Sequence, residues 1–231
     1  MSNDYPVLEI LELACAAQRV NGEYVKETIT FDFNDTAQTT KFTNRTLITY
    51  AVGIDSQMWS EVSQDKRPPL LKITQEDKDL ADNIQYYFRR LIFSAIAGEN
   101  SFESNVNAIL NDNSIKVNNF GFVACLPSVY KRYLAQSKLN KASRSCDQSY
   151  IGSVGDIIED RDCELIEVFK SKNFEAYNVT AIIDNKMVSW ITKFEPNPGP
   201  AVLIRAKVKE LSKHYRNANP VTRLNYVKIA Q

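Results

Sequence analysis

Apolar positions along this chain follow two periods, helical in the first part and strand-like after about residue 150. Val7 to Val20 sets Leu8, Leu11, Ala14, Cys15 and Val20 near helical spacing, which predicts an amphipathic helix ended by Asn21-Gly22. Thr28 to Phe33 and part of Thr46 to Val52 alternate at period two and read as strands, with a Thr-rich loop between them. Arg67-Pro68-Pro69 interrupts the chain. Thr74 to Asp77 matches a capping box and opens a helix over 75–97, in which Leu80, Ile84, Tyr87, Phe88 and Leu91 share a stripe that Gly98 stops. Ser101 caps a second helix with Phe102, Val106, Ile109 and Leu110 inward. A third runs through Phe120 to Leu126, and Pro127 starts a fourth containing Val129, Tyr130, Tyr133 and Leu134. From Lys131 to Arg144 the apolar pattern fades into a run with five basic residues and no acid. It reads as a solvated helix end and tether whose charge could touch phosphates.

Beyond Gly152 and Gly155 the period changes to two, with strands expected over 163–170, 177–183, 187–194, 202–210 and 222–229. Asp184-Asn185-Lys186 marks a tight hairpin between the second and third. Asn197 to Pro200 and Asn217 to Pro220 break before the fourth and fifth. Five short strands in this span match the size and strand count of an OB barrel. The expected class is α+β: an N-terminal α/β and helical region over 1–145, then a C-terminal five-stranded OB-like β-barrel over 146–231.

Charge sharpens the division. The 231 residues carry 28 basic and 28 acidic side chains, yet the excess is acidic before residue 130 and basic after it. Ala201 to Gln231 concentrates Arg205, Lys207, Lys209, Lys213, Arg216, Arg223 and Lys228 around one acid, Glu210. Strict alternation over 202–209 puts Val202, Ile204, Ala206 and Val208 on one face, and Leu203, Arg205, Lys207 and Lys209 on the other. A strand of that kind lies in a core while presenting cations to a polyanion.

The residues also carry a resemblance. Tyr150-Ile-Gly-Ser-Val-Gly-Asp156, Met187-Val-Ser-Trp-Ile-Thr192, Val208-Lys209 and Thr222-Arg223-Leu224 together resemble the C-terminal region of phage-encoded, OB-fold single-stranded DNA-binding proteins. A weaker similarity extends to Phe120 to Pro127 and Tyr130. Leu211 stands where the related pattern has His, and the only histidine, His214, lies three residues on. The turn at 184–186 and the loop before Thr222 also depart from the pattern and lack its glycines. The resemblance implies a cytoplasmic DNA-binding protein (host cytoplasm, if phage-encoded) acting in replication or recombination.

Single-strand binding needs cations along a groove and aromatic faces for unstacked bases. The candidate nucleic-acid-binding residues are Lys170, Phe174, Tyr177, Trp190, Lys193, Arg205, Lys207, Lys209, Lys213, Tyr215 and Arg216. Single-stranded DNA is the expected partner, with RNA, replication proteins and a second copy of the chain as further candidates. No apolar run is long enough for a membrane span, and no cofactor, metal or catalytic residue is expected. The scattered Cys15, Cys125, Cys146 and Cys163 form no CxxC pair, and neither a P-loop nor a nucleophile elbow occurs. Two other readings stay open: a scaffold that recruits replication enzymes, and a helix-turn-helix over 101–134 that reads duplex DNA with Gly98 or Gly121 in its turn.

Overall fold

In the computed structural model, residues 4–33, 37–54, 56–91, 102–171, 174–214 and 218–231 are described. They form two compact units, Met1–Arg132 and Tyr133–Gln231. Strand β1 (Asp4–Pro6) leads into helix α1 (Val7–Asn21). Gly22 ends that helix at φ 76, a left-handed conformation that glycine adopts without strain, and its N–H reaches the Arg19 carbonyl. Strands β2 (Ile29–Phe33) and β3 (Ala37–Lys41) form an antiparallel hairpin, so the Thr-rich stretch contributes a strand rather than a plain loop.

The strand expected over Thr46–Val52 is instead part of helix α2 (Asn44–Ala51). Its β-branched residues suit a strand by propensity, but the Thr43 hydroxyl accepts from the Thr46 N–H at 2.9 Å and nucleates a helical turn. Asn44, Leu47 and Ile48 then share a buried helical stripe. The buried Asn44 carboxamide oxygen accepts from the Val25 backbone N–H and the Asn21 side chain.

A short helix α3 (Ser56–Ser60) precedes helix α4 (Gln75–Leu91). The capping box is present: the Thr74 N–H donates to the Asp77 carboxylate at 2.9 Å, and the Asp77 N–H donates to the Thr74 hydroxyl at 3.3 Å. The expected end of this helix at Gly98 and the cap at Ser101 lie outside the described residues. Asp77 also ties α4 to α1, accepting from Arg19 Nη2 at 2.8 Å and Nε at 3.1 Å. Burial pushes the Asp77 carboxyl up, but the Arg19 and Thr74 hydrogen bonds outweigh it and hold the group below its ordinary 3.8. A depressed carboxyl contributes stability that is full above its unfolded value and is lost as pH falls through the lower folded value. Thermal melts followed by circular dichroism should therefore show the first unit losing stability below about pH 4. Asp77→Asn should flatten that dependence.

Helix α5 (Phe102–Asn111) buries Val106 and Leu110 and is followed by strand β4 (Ser114–Lys116), which pairs with β1. Helix α6 (Phe120–Ser145) runs unbroken through Pro127, where two helices were expected. Proline removes one ladder hydrogen bond from a helix, but Phe120, Val123, Ala124 and Leu126 on one side of it and Leu139 on the other are buried. The run from Lys131 to Arg144 is accordingly helix and not tether, and its residues from Tyr133 onward belong with the second unit. Gly121 lies inside α6, and β4 separates α5 from α6. The turn a helix-turn-helix would need at Gly121 is not formed.

Strands β5 (Ile157–Lys170), β6 (Tyr177–Ile183), β7 (Lys186–Thr192), β8 (Gly199–Lys213) and β9 (Pro220–Ala230) close a barrel in the order β5-β6-β7-β9-β8. Closure leaves no free sheet edge. All pairs are antiparallel except β7 with β9. The β6–β7 turn places Asp184 at φ 48 and Asn185 at φ 60, the two positive angles that a two-residue hairpin matched to strand twist requires. Leu165, Val179, Ala181, Val188, Trp190, Leu203 and Leu224 fill the interior.

Candidate nucleic-acid interface

The outward surface of the barrel is divided by charge. Strands β8 and β9 carry Arg205, Lys207, Lys209, Lys213, Arg223 and Lys228 against one acid, Glu210, whereas the exposed residues of β5 include Glu159, Asp160, Asp162 and Glu164 against Arg161 and Lys170. An open groove lined by Asp162, Glu164, Asp184, Pro200, Val202 and Gln231 lies on the acidic side. Its sign repels phosphate and directs attention to β8–β9.

Arg205, Lys207 and Lys209 are exposed, as the alternation predicts. Their apolar neighbours are not arranged as expected. Leu203 is buried, whereas Val202 and Ile204 are 41% and 44% exposed. The pairing of β8 with β9 shifts between Leu203 and Arg205, so an irregularity reverses the faces at that point while Ala206 and Val208 keep theirs. Strict alternation cannot show such a shift.

Across the β8–β9 ladder, Arg205 stands opposite Lys228 and Lys207 opposite Asn225. Tyr226 projects between these two rungs. It is 79% exposed and holds φ 53, a left-handed backbone rarely adopted by an aromatic residue. The bulge lets Val227 turn to the core while the phenol faces water among cations. Glu159 holds Arg205 at 3.4 Å, and Glu210 holds Arg223 at 3.3 Å. Each acid fixes a guanidinium without neutralising the row.

A second group collects at one end of the barrel. Lys170, Tyr177 and Thr192 lie on one rung across β5, β6 and β7. Beside that rung Phe174, Ile191 and Phe194 are 74%, 69% and 83% exposed. Lys193, also exposed, precedes Phe194. A hydrogen bond to the Glu195 carboxylate raises the Tyr177 phenol above its ordinary value, which links the start of β6 with the loop after β7. Strand β9 runs parallel to β7, and just beyond it the Gln231 side chain accepts from the Asn197 N–H at 3.0 Å.

Trp190 belongs to neither group. It is 5% exposed inside the barrel and presents no ring to a base, which corrects its assignment as a platform. Lys213 ends β8 opposite Pro220. Tyr215 and Arg216 lie outside the described residues. Phe194, Tyr226, Arg223 and Lys228 join the surface although sequence reasoning did not select them. For Arg223 and Lys228 the available signal was the basic bias of the segment; for Tyr226 no periodicity shows that its ring leaves the barrel.

Burial pushes the Cys15 thiol up to about 12 and raises Cys125, Cys146 and Cys163 as well, so these thiols are protonated at neutral pH. Among the described residues no group of three or more His, Cys, Asp or Glu side chains is placed to hold a metal ion, and no helix is long and apolar enough to cross a membrane. Comparison with protein-family models, curated proteins and solved structures returns no match.

Proposed function

We propose that the chain binds single-stranded DNA without catalysing a reaction, using an OB-like barrel as the platform. Tyr226 carries this reading: an exposed aromatic ring held in strained backbone between two cation-bearing rungs. Unstacked bases have free faces to lay on such a ring, and stacking is worth roughly 1–3 kcal/mol per base. Paired bases in a duplex have no comparable free face. Phosphates run along Arg205, Lys207, Lys209 and Lys228, and further bases stack on Phe174 and Phe194 at the barrel end. Contacts of both kinds tolerate any base, so sequence selection is weak. The sequence resemblance to phage single-stranded DNA-binding proteins supports a role in phage DNA replication or recombination as part of this proposal.

Fluorescence anisotropy of a labelled oligo-dT and a matched duplex, each at several salt concentrations, tests the reading. Tighter binding of the single strand with a steep salt dependence is expected. Equal affinity for duplex would overturn it, and absence of binding at low salt would favour the scaffold. Arg205→Ala/Lys207→Ala/Lys209→Ala should flatten the slope of log K against log salt by about 2, taking about 0.7 per phosphate contact on a single strand. An unchanged slope would remove β8 from the path.

A further inference from the structure

The second half of α6 is attached to the same barrel and carries cations of its own. Leu139 and Cys146 pack with Met187 of β7 and Val221 of β9, and with the half-buried Ile166 and Ile182. Asn219 Nδ2 donates to the Ser143 carbonyl at 3.0 Å, and the Asp147 N–H donates to the Asn185 carbonyl at 2.8 Å. The helix therefore covers outward side chains of β6, β7 and β9 near the β6–β7 hairpin. Its buried positions Leu139 and Ser143 leave Lys138, Lys141 and Arg144 exposed at three-residue spacing, with no acid between Lys131 and Cys146. Arg144 near the C-terminus complements the helix dipole, but Lys138 lies outside the last turn, where that effect has faded.

Two further cations continue this surface onto the barrel. Val221 lies beneath the helix, and Arg223, two residues on, shares its outward face and is exposed. Lys213 pairs with Pro220 immediately beside Asn219, which bonds the helix. We infer that Lys138, Lys141 and Arg144 form a second phosphate-binding element, which takes the backbone of the single strand where it leaves the β8–β9 face past Arg223. This rests on the single-strand reading above and extends the path beyond the barrel. Where α6 covers the outward side chains of β6 and β7, its cationic face takes their place at the surface.

The experiment compares full-length wild type with Lys138→Ala/Lys141→Ala/Arg144→Ala on dT oligonucleotides of about 6 and about 20 nucleotides, chosen to bracket the site sizes of OB barrels. Leu139, Ser143 and Cys146 are untouched, and a matching thermal melt verifies folding. On the long oligonucleotide, the variant should lose up to about 2 in salt slope, so the fall in affinity between 50 and 200 mM salt should shrink about 20-fold. The short oligonucleotide, held by the barrel, should bind both proteins alike. Wild-type slope and affinity on the long oligonucleotide would overturn the inference, as would an equal defect on duplex DNA. Failure of the wild type to bind either oligonucleotide would instead defeat the single-strand reading on which the inference stands.

Discussion

Trp190→Ala should destabilise the barrel by about 3–5 kcal/mol, the usual cost of emptying a large aromatic site in a packed core. The ring is 5% exposed and belongs to the same buried core as Val179, Val188, Leu203 and Leu224, residues of four different strands. Losing it opens a core to which β6, β7, β8 and β9 all contribute. Urea unfolding read by far-UV circular dichroism measures the change. Trp190→Phe separates packing from recognition, since it keeps an aromatic body in place at smaller cost. That variant should bind oligo-dT as the wild type does once both are folded. A selective loss of affinity at unchanged stability would show that the indole meets the ligand after all.

At Tyr226 stability and affinity should move in opposite directions. A non-glycine residue in left-handed backbone costs about 1–2 kcal/mol, and glycine removes that cost while adding conformational freedom to the unfolded chain. Because Tyr226 is 79% exposed, its ring loses little packing on deletion. Tyr226→Gly should therefore raise the unfolding free energy by up to about 1 kcal/mol. The same change removes a stacking face and should weaken oligo-dT binding by roughly 1–3 kcal/mol, about 5- to 150-fold. Tyr226→Phe keeps the ring and should retain most of the affinity. Paired urea and anisotropy titrations test both signs, and a Tyr226→Gly protein with unchanged affinity would remove this ring from the interface.

The barrel was legible because alternation, turn residues and charge agree along it. All five strands appear near their expected places, and the Asp184-Asn185 turn has the angles its residues favour. Elsewhere a nonlocal or backbone effect decided the outcome. Thr46 to Val52 has strand-like residues, yet a single hydroxyl at Thr43 and a buried stripe make it helical. Pro127 looked like a helix start because sequence does not show that packing on both sides carries α6 through it. The cations of β8 were found because they remain outward, whereas the shift near Arg205 reversed two of their apolar neighbours. Phe174, Tyr177, Lys170 and Lys193 gather at one end, but Trp190 shares their chemistry and points the other way. Aromatic content identified the right segment without separating platform from core.

The closing seam of the barrel has a consequence for the order of events during synthesis. Strand β9 is the last barrel strand to be made, and it alone bridges β7 to β8. Until it emerges, both neighbours present unpaired backbone edges and the interior stays open to water. At typical translation speeds, the residues between the end of β8 and the end of β9 take about one to three seconds to add. The first unit has its own core and can form in that time, but the nascent barrel must wait. During that interval its greatest hazard is edge-to-edge pairing with another chain.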